Sequence, residues 1–334
     1  MVQCVVISFF LVRKWLEGGR CCSTVRLANK TVIVTGSNTG IGKETARDFF
    51  RRGARVILAC RDLDKAVHAA RDIESTAPQF KDRVVVRHLD LADFASIREF
   101  AKYILTTEDR IDILVNNAGM VSGQNKTADG FDMVFGTNHL GHFLLTNLLL
   151  DKIVDCAPSR IINVASLAHK YGTMHWDDLN LNVKGAYSPY AAYCQSKLAN
   201  ILFTKELARR LKGTGVTVYS LHPGAVKTEI ARHSHDVFPA FLHTIFDVLG
   251  LILSLLFTKT AEQGAQTTIH CAVSEKVANQ TGLYYSDCGV TTPSTFALNE
   301  DYAKKLWIMS AEMVKLDEAL SEVIGAIKNR NQQS

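Results

Sequence analysis

The feature that most constrains the fold is a glycine-rich stretch, Thr31–Gly42, which reads TVIVTGSNTGIG. An apolar, β-branched run ends at Gly36, and a segment with helical periodicity follows the last glycine. Glycine lets a backbone turn sharply and lets a ligand approach it closely. A helix N-terminus offers free N–H groups and a partial positive charge to a phosphate. A strand before the turn and a helix after it favour nucleotide binding over a plain turn. The expected cradle consists of Gly36, Ser37, Asn38, Thr39, Gly40, Ile41 and Gly42.

The rest of the chain alternates between short apolar runs and amphipathic segments. The apolar runs, each of which predicts a strand, cover Arg55–Cys60, Arg83–Leu89, Ile111–Val115, Arg160–Ala165, Val216–Leu221 and Leu283–Tyr285. Helical periodicity predicts helices between them, including long ones over Phe131–Leu150 and Ala191–Leu211. Such alternation produces right-handed crossovers and a parallel sheet covered on both faces. The prediction is an α/β fold: one Rossmann-like domain over residues 29–327, with a doubly wound parallel sheet, and a polar tail over 328–334.

A hydrophobic segment near the N-terminus points to a membrane. Val5–Val12 is almost entirely apolar and is followed by Arg13 and Lys14. It is shorter than the ~20 residues that a spanning helix needs, and it lacks the flanks of a cleaved secretory signal. We interpret residues 1–28 as a short membrane anchor or interfacial segment, with the basic residues keeping the domain on the cytosolic side. The alternative is an apolar, disordered start.

A second hydrophobic segment, Val237–Phe257, interrupts the alternating pattern. By length it could span a bilayer, but it lies between two predicted strands of one domain, and a spanning helix there would divide that domain. We therefore expect a hydrophobic lid over about residues 227–258 that covers the site and rests on the bilayer. An ordinary pair of buried helices is the alternative.

Charge and composition argue against several functions. The formal net charge is +5 and no dense basic stripe occurs, which argues against nucleic-acid binding, while a mildly basic surface suits an anionic membrane. The eight cysteines form no C-x-x-C pair, so we expect reduced thiols. His139 and His142 share a predicted helix without a third ligand at metal-binding spacing. We expect no metal and interpret both as packed or hydrogen-bonded histidines.

A Tyr–Lys pair lies on another predicted helix. Tyr193 and Lys197 stand four residues apart, a spacing that places both side chains on one helix face. A lysine ammonium there stabilises a phenolate and lowers the pKa of the tyrosine, which can then exchange a proton near neutral pH. Because tyrosine and lysine often share helix faces, the pair alone is weak evidence for catalysis. The residues around it strengthen that interpretation.

Polar residues gather where the predicted strands end. Ser166 follows the fifth strand, Asn116–Gly119 the fourth, and Pro223 and Gly224 the sixth, while Asn138 lies within a helix. Open α/β sheets bind their ligands at the carboxyl ends of their strands. A single polar residue there would be a turn or a cap by default. So many along one edge predict a ligand site.

The chain resembles the short-chain dehydrogenase/reductase family over about residues 30–290. The resemblance is carried by four features taken together: T-G-x-x-x-G-I-G, N-N-A-G, the serine and Y-x-x-x-K. Further segments are similar to the retinol dehydrogenase branch of that family, namely Ser37–Lys43, Ala59–Asp62, Lys126–Gly130, Asn138–Phe143 and Tyr193–Asn200. That branch includes microsomal enzymes that reduce retinal and other lipid aldehydes, and a mitochondrial relative.

The resemblance implies roles for individual residues. Tyr193 would be the general acid in reduction and the base in oxidation, and Lys197 would lower its pKa and bind the nicotinamide ribose. Ser166 would hydrogen-bond the substrate oxygen, and Asn138 would support a water-linked proton path. A positioned acid–base group contributes about 10²–10⁴ in rate. Besides the glycine-rich cradle and the Tyr–Lys pair, the implied cofactor contacts are Asp90, Leu91, Asn117, Ala118, Gly119, Pro223, Gly224 and Thr228.

The residues at the end of the second predicted strand indicate whether the cofactor is NAD or NADP. NAD enzymes of this type usually carry an acid there to hold the ribose hydroxyls, whereas this chain has Ala59 and Cys60 followed by Arg61. An acid would repel a 2′-phosphate and a guanidinium binds one well, so we expect NADP(H). The alternatives are that Arg61 is a plain surface residue and that Asp62 only caps the next helix.

The resemblance therefore implies an NADP-dependent oxidoreductase that interconverts retinal and retinol, or similar lipid aldehydes and alcohols, in the reductive direction. The alternatives are a steroid or xenobiotic carbonyl reductase of the same family and a non-catalytic dinucleotide-binding regulator. The implied partners are a hydrophobic small molecule and a membrane surface, and the family also allows a homodimer. The implied location is the endoplasmic reticulum membrane with the domain facing the cytosol, or alternatively a mitochondrial membrane.

Overall fold

Parallel strands that alternate with helices form the body of the protein in the computed structural model, which describes residues 17–183, 187–226 and 258–316. The strands are β1 (Thr31–Thr35), β2 (Arg55–Cys60), β3 (Val84–His88), β4 (Ile113–Asn116), β5 (Ser159–Val164), β6 (Val216–Leu221), β7 (Leu283–Ser286) and β8 (Gly289–Val290). The main helices are α1 (Gly40–Arg51), α2 (Leu63–Ser75), α3 (Phe94–Thr107), α4 (Gly141–Asp155), α5 (Pro189–Arg210), α6 (Ala261–Val273) and α7 (Glu300–Met313).

The sheet confirms the predicted doubly wound α/β fold. Its strand order is β3-β2-β1-β4-β5-β6-β7-β8, with every neighbouring pair parallel except β7 and β8. The order reverses between β1 and β4, which is the point where sheets of this kind bind ligands. The predicted strands all occur, with ends that differ from the prediction by at most two residues.

Both faces of the sheet are buried because successive side chains of a strand point to opposite sides. Ile33 of β1 packs in a core with side chains of α3, α4, α5 and α7. Its neighbours Val32 and Val34 pack in a second core with side chains of α1, α2 and α6. A strand that is buried on both faces reads as a continuous apolar run, which is why these runs predicted the sheet correctly.

The long helix predicted over Phe131–Leu150 consists of three parts. A single turn at Met133–Phe135 leads into a π-helical segment, Gly136–Leu140, which continues into α4. Glycines at both ends of the π segment allow close packing: a Cβ on Gly136 would lie 2.5 Å from the Thr127 side chain, and one on Gly141 would lie 2.5 Å from the Leu91 carbonyl oxygen. A wide turn of this kind is frequent at functional sites, and this one contains Asn138.

Residues 17–28, which the sequence assigned to the anchor segment, are part of the folded domain. Arg52 at the end of α1 donates from Nη1 to the carbonyl oxygens of Ser23 and Val25, each at 2.9 Å. Leu27 is buried, and its N–H donates to the Arg52 carbonyl at 2.9 Å. The membrane-anchor role of residues 1–28 stays a prediction, while Arg52 holds the backbone of Ser23, Val25 and Leu27 on the domain.

Several expectations fall on residues outside the described ranges: the hydrophobic segment Val5–Val12, the lid segment Val237–Phe257 and the polar tail 328–334. The residues that flank positions 227–257 on both sides are described. Val226 and Lys259 form a parallel bridge, and the Lys259 N–H donates to the Ala225 carbonyl at 2.7 Å. The described residues on either side of 227–257 thus meet at one place, beside Gly224. Within the described ranges no helix combines the length and the apolar character that crossing a membrane requires.

The buried carboxylate of Asp112, which precedes β4 and contacts the start of β1, yields a prediction about stability. Asp112 accepts hydrogen bonds from Lys30, Arg110 and the Thr31 N–H, and its side chain is only 3% exposed. Burial opposes ionisation, but these hydrogen bonds outweigh it and lower the pKa of the carboxyl group. We expect Asp112→Asn to lose about 1.5–3 kcal/mol of unfolding free energy at pH 7, the usual value of hydrogen bonds to a charged group.

Denaturant unfolding between pH 7 and pH 3 measures this loss. Because the folded pKa is depressed, the stabilisation by Asp112 is present above the unfolded value of about 3.9 and disappears as the pH falls through the folded value. The difference between the two proteins should therefore shrink on acidification. Asp109→Asn, at an exposed neighbouring position, is the control and should change stability little. A loss that is independent of pH would contradict the assignment.

Candidate active site

Two of the three glycines of the predicted cradle, Gly36 and Gly42, are required by close packing around a neighbouring loop. Gly36 has φ +61°, and a Cβ there would lie 2.9 Å from Ala118 Cα. A Cβ on Gly42 would lie 2.5 Å from Asn117 Nδ2. The Asn117 side chain also donates to the Thr35 carbonyl at 2.8 Å. The structure therefore brings the glycine-rich turn and the Asn-Asn-Ala-Gly loop into direct contact, as expected if both serve one ligand.

The N-terminus of α1 has the properties of an anion site. Thr39 is its N-cap residue but makes no side-chain capping hydrogen bond, and no acidic residue lies in the first turn. The first N–H groups of a helix lack partners within that helix, so a phosphate can accept them. Ser37 is turned away, because its Oγ donates to the Val34 carbonyl at 2.8 Å. These residues fit the diphosphate of a dinucleotide, with backbone N–H groups as the donors.

Tyr193, Lys197 and Ser166 meet at the carboxyl edge of the sheet. Lys197 is buried, lies 5.6 Å from the centroid of the Tyr193 ring and donates from Nζ to the Val164 carbonyl at 3.1 Å. The Cβ of an alanine at Gly119 would come within 3.2 Å of Lys197 Nζ. The glycine of the Asn-Asn-Ala-Gly loop therefore leaves room for the ammonium group. Tyr193 and Lys197 thus lie side by side on α5, as their spacing of four residues predicted, whereas the catalytic roles of the three residues stay predictions.

The direction of the Tyr193 pKa shift differs from the expectation. Burial raises the pKa of Tyr193, and a hydrogen bond from the Ser166 side chain opposes this rise only in part. Burial also lowers the pKa of Lys197 to about 8. The expected lowering of the tyrosine pKa by the lysine is therefore corrected for the protein alone, because desolvation by burial is the largest influence on this phenol. At neutral pH the phenol is protonated and the ammonium is still mostly charged.

The backbone around Ser166 is held by a residue that the sequence did not single out. Ser166 caps the short helix Leu167–Tyr171, with its Oγ accepting from the Ala168 N–H at 3.2 Å. The buried His169 lies with Nδ1 2.7 Å from the Ser166 carbonyl oxygen, and its Nε2 accepts from the Ser294 N–H at 3.1 Å. The imidazole therefore fixes the Ser166 loop against a segment more than a hundred residues away, a contact that no local pattern reveals.

Asn138 uses its side chain to hold the loop that follows Gly119. Its Oδ1 accepts from the Met120 N–H at 2.9 Å, and its Nδ2 donates to the Met120 carbonyl and to Ser196 Oγ, both at 3.0 Å. Ser196 in turn donates to the Tyr193 carbonyl at 2.8 Å. Asn138 thus links the π segment, the loop and α5. A role in a water-linked proton path stays a prediction.

Arg61, which the sequence predicts to select the cofactor, lies directly after β2. Arg61 is exposed and forms no ion pair with any residue in the described ranges. Asp62 accepts from the Lys65 N–H at 3.0 Å and caps α2, so the alternative reading of Asp62 as a cap is confirmed. A guanidinium without a carboxylate partner at this place is suited to a phosphate.

The remaining predicted contacts lie around the same edge. Asp90 follows β3, and its carboxylate accepts from the Ala92 N–H at 2.9 Å, while Leu91 is buried. Gly224, with φ +85°, follows Pro223 after β6, and its N–H donates to His222 Nδ1 at 3.1 Å. Thr228 lies outside the described residues. Whether these residues contact a cofactor stays a prediction.

His139 and His142 are buried and hydrogen-bonded, in agreement with one of the expected interpretations. His139 is buried among aromatic rings, with Nε2 2.9 Å from Ser310 Oγ, and His142 is also buried and hydrogen-bonded. Within the described ranges no group of three His, Cys, Asp or Glu side chains is arranged to hold a metal ion. The cysteines of these ranges are all free thiols.

Comparisons with known proteins agree with the fold. The sequence profile of the short chain dehydrogenase family matches residues 30–237. A solved structure of an uncharacterised protein from Mycobacterium paratuberculosis is similar, with a TM-score of 0.70, 35% identity, and coverage of 89% of this chain and 98% of that chain. The NADP complex of RhlG from Pseudomonas aeruginosa follows at a TM-score of 0.60 and 25% identity, covering 78% and 94%. The chain belongs to the short-chain dehydrogenase family and is an oxidoreductase that binds a nicotinamide dinucleotide.

Within that family the chain falls in the retinol dehydrogenase branch. It is 51% identical to human retinol dehydrogenase 11 over 306 residues, which cover 91% of this chain and 92% of that protein. It is 50% identical to human retinol dehydrogenase 13 over 308 residues, with coverage of 92% and 91%. Human retinol dehydrogenase 12 is 48% identical over 306 residues, with coverage of 91% and 92%.

The packing of the glycine-rich turn yields a second prediction. We expect Gly36→Ala to cost about 1–3 kcal/mol of unfolding free energy, because a non-glycine residue is strained at this positive φ and its Cβ would press on the Ala118 backbone. Dinucleotide binding should weaken as well. Chemical unfolding and a titration of NADPH fluorescence measure the two effects. Gly123→Ala is the control, since a Cβ there meets nothing within 4 Å. Equal effects of the two substitutions would contradict the packing argument.

Proposed function

We propose that this protein is an NADP(H)-dependent reductase of retinal and similar lipid aldehydes, which also catalyses the reverse oxidation of the alcohols. The observation that carries the proposal is the meeting of Tyr193, Lys197 and Ser166 beside Gly119, at the same sheet edge as the uncapped N-terminus of α1. A dinucleotide on that helix end and a carbonyl substrate at the tyrosine would be neighbours. A regulator that only binds a dinucleotide has no need of the three side chains.

The side chains divide the acid–base work of a carbonyl reduction. A bound reduced nicotinamide supplies the hydride for the carbonyl carbon. Tyr193 donates its hydroxyl proton to the carbonyl oxygen, which completes the alcohol. Ser166 donates a hydrogen bond that orients the same oxygen. The Lys197 ammonium stabilises the phenolate left on the tyrosine and holds the nicotinamide ribose. Because burial keeps the phenol protonated at neutral pH, the resting state of Tyr193 suits reduction.

NADP(H) is favoured by the free guanidinium at the end of β2. Arg61 is exposed and without an ion pair in the described ranges, and no carboxylate takes its place at the strand end. The neighbouring carboxylate, Asp62, is engaged in capping α2. A 2′-phosphate at this position would therefore gain a charge-assisted partner and meet little repulsion. The relative RhlG in its NADP complex is compatible with this choice.

An apolar substrate is supported by the surroundings of Ser166 and by the relatives. Leu167, Tyr171 and Tyr190 are respectively 48%, 71% and 51% exposed on the short helix that follows Ser166 and on the first turn of α5. Apolar side chains exposed together near a site are typical of a surface that receives an apolar ligand or a membrane. The relatives named as retinol dehydrogenases point to a retinoid as that ligand.

The proposal includes attachment to a membrane, which would give access to such a substrate. Its support comes from the sequence of two segments outside the described residues, Val5–Val12 and Val237–Phe257, both strongly apolar. The endoplasmic reticulum membrane with the domain in the cytosol is the proposed location, and a mitochondrial membrane is the alternative. In the cytosol the NADP(H) cofactor is present mostly in its reduced form, NADPH, which again favours reduction of the substrate. A homodimer stays a prediction.

The central test of the chemistry is Tyr193→Phe, assayed with NADPH and all-trans-retinal. Removing the proton donor should lower kcat by about 10²–10⁴, the usual contribution of a positioned acid–base group. NADPH affinity should change little, because the cradle is untouched. Tyr190→Phe, one turn earlier on α5, keeps the exposed aromatic ring and removes only a hydroxyl group, so this matched control should keep its activity. Undiminished turnover by Tyr193→Phe would refute the mechanism.

The cofactor choice is tested by Arg61→Asp. Replacing the guanidinium by a carboxylate should remove a partner of the 2′-phosphate and add repulsion, so the ratio of kcat/KM for NADPH over NADH should fall by at least about tenfold, which corresponds to 1.4 kcal/mol. Steady-state kinetics with both cofactors measure the ratio. Arg71→Asp makes the same charge change further along α2 and should leave the ratio near its starting value. An unchanged ratio in both variants would show that Arg61 does not contact the phosphate.

A further inference from the structure

His142, the first residue after Gly141 on α4, is buried and uses both ring nitrogens. Its Nε2 lies 2.9 Å from Thr35 Oγ1 at the end of β1, and its Nδ1 lies 3.0 Å from the carbonyl oxygen of Asn138 in the π segment. The side chain is only 2% exposed. One imidazole therefore spans the distance between the end of β1 and the segment that contains Asn138.

The contacts allow only one arrangement of protons. A carbonyl oxygen only accepts, so Nδ1 of His142 must carry the proton and donate it to Asn138. Nε2 is then the acceptor, and the Thr35 hydroxyl donates to it at 2.9 Å rather than to the Val115 carbonyl at 3.4 Å. The oxygen of that hydroxyl is left to accept the N–H groups of Asn117 and Ala118, at 2.9 and 3.0 Å. Burial lowers the pKa of His142 to about 4, so the ring remains neutral through the working range of pH.

We propose that His142 is a positioning residue, which couples the Asn138 turn to the loop Asn117–Met120 beside the dinucleotide cradle. This inference rests on the proposed function, since it assigns His142 a place in that reaction. The loop is held from two directions. Thr35, oriented by His142, holds Asn117 and Ala118, whereas the Asn138 side chain holds both backbone groups of Met120.

Gly119 lies between these two attachments and faces the ammonium group of Lys197. A Cβ at Gly119 would lie 3.2 Å from Lys197 Nζ. A change at His142 should therefore affect two processes through two different atoms. Loss of the acceptor at Nε2 frees the Thr35 hydroxyl and loosens the loop against the glycine-rich turn. Loss of the donor at Nδ1 frees the Asn138 carbonyl and loosens the turn beside Ser196 and Tyr193.

Two substitutions separate these effects. In His142→Asn, the amide can donate to the carbonyl four residues earlier, as Asn147 already does to Phe143 on the same helix at 2.8 Å, but it cannot reach Thr35. In His142→Gln, the longer amide can accept from Thr35 while the donor to Asn138 is lost. We expect His142→Asn to raise the NADPH Kd about tenfold with little change in kcat, and His142→Gln to lower kcat about tenfold with little change in Kd, each the effect of about one hydrogen bond.

The experiment uses the full chain, with NADPH Kd measured by fluorescence without substrate and kcat measured with saturating NADPH and all-trans-retinal. His139→Asn and His139→Gln are the matched controls, because His139 is a buried imidazole on the π segment that contacts Ser310 instead. The opposite effects at position 142, absent at position 139, support the proposal. Equal effects on Kd and kcat in both His142 variants, or effects that match the His139 controls, would overturn it.

A spectroscopic measurement on the unmodified protein covers the case in which the variants fail to fold. Long-range ¹H–¹⁵N correlation spectra report which nitrogen of a histidine carries the proton. The proposal requires His142 in the Nδ1–H tautomer from pH 5 to pH 8, and an Nε2–H tautomer would overturn it. The tautomer and the NADPH Kd need no turnover, so a wild-type protein that reduces no aldehyde would refute the proposed function while leaving these two readouts to judge His142.

Discussion

The rest of the site depends on one contact, the close packing of the glycine-rich turn after β1 on the loop after β4. The sheet reverses its strand order between these strands, so their carboxyl ends open a crevice. Gly36 lies so close to the Ala118 backbone, and Gly42 so close to the Asn117 side chain, that a Cβ would not fit at either glycine. Thr35 accepts both N–H groups of that loop through one hydroxyl. This junction sets the distance between the helix end suited to a phosphate and the residues suited to proton transfer.

Burial controls the chemistry that the junction organises. Tyr193 and Lys197 are both withdrawn from water, which raises the pKa of the phenol and lowers that of the ammonium. Each shift disfavours the charged form, so the protein itself keeps the tyrosine protonated while the lysine titrates near pH 8. The sequence suggested the opposite direction for Tyr193, because a spacing of four residues shows a neighbouring charge and says nothing of desolvation. The correction makes the tyrosine a natural proton donor.

Much of the fold was predictable from local patterns, and particular residues show where these patterns end. The apolar runs of β1 and β2 are buried on both faces, so they identified central strands without ambiguity. The periodicity over Phe131–Leu150 predicted a helix but not its π segment, because one extra residue in a turn leaves the apolar pattern nearly unchanged. Residues 17–28 looked like the end of an anchor. Their place on the domain depends on Arg52, whose hydrogen bonds cross a long stretch of chain.

The sequence by itself determined the order of strands and helices and the chemical groups available at their ends: the glycines, the serine, the Tyr–Lys pair and an arginine where many relatives carry an acid. These follow from properties within a few residues, namely hydrophobic period, backbone freedom and side-chain chemistry. Only the tertiary structure decided the pKa direction of Tyr193, the support of Ser166 by His169 and the partners of His142. Each of these depends on burial and on contacts between distant parts of the chain, such as Thr35 with His142 or His169 with Ser294. No local pattern contains that information.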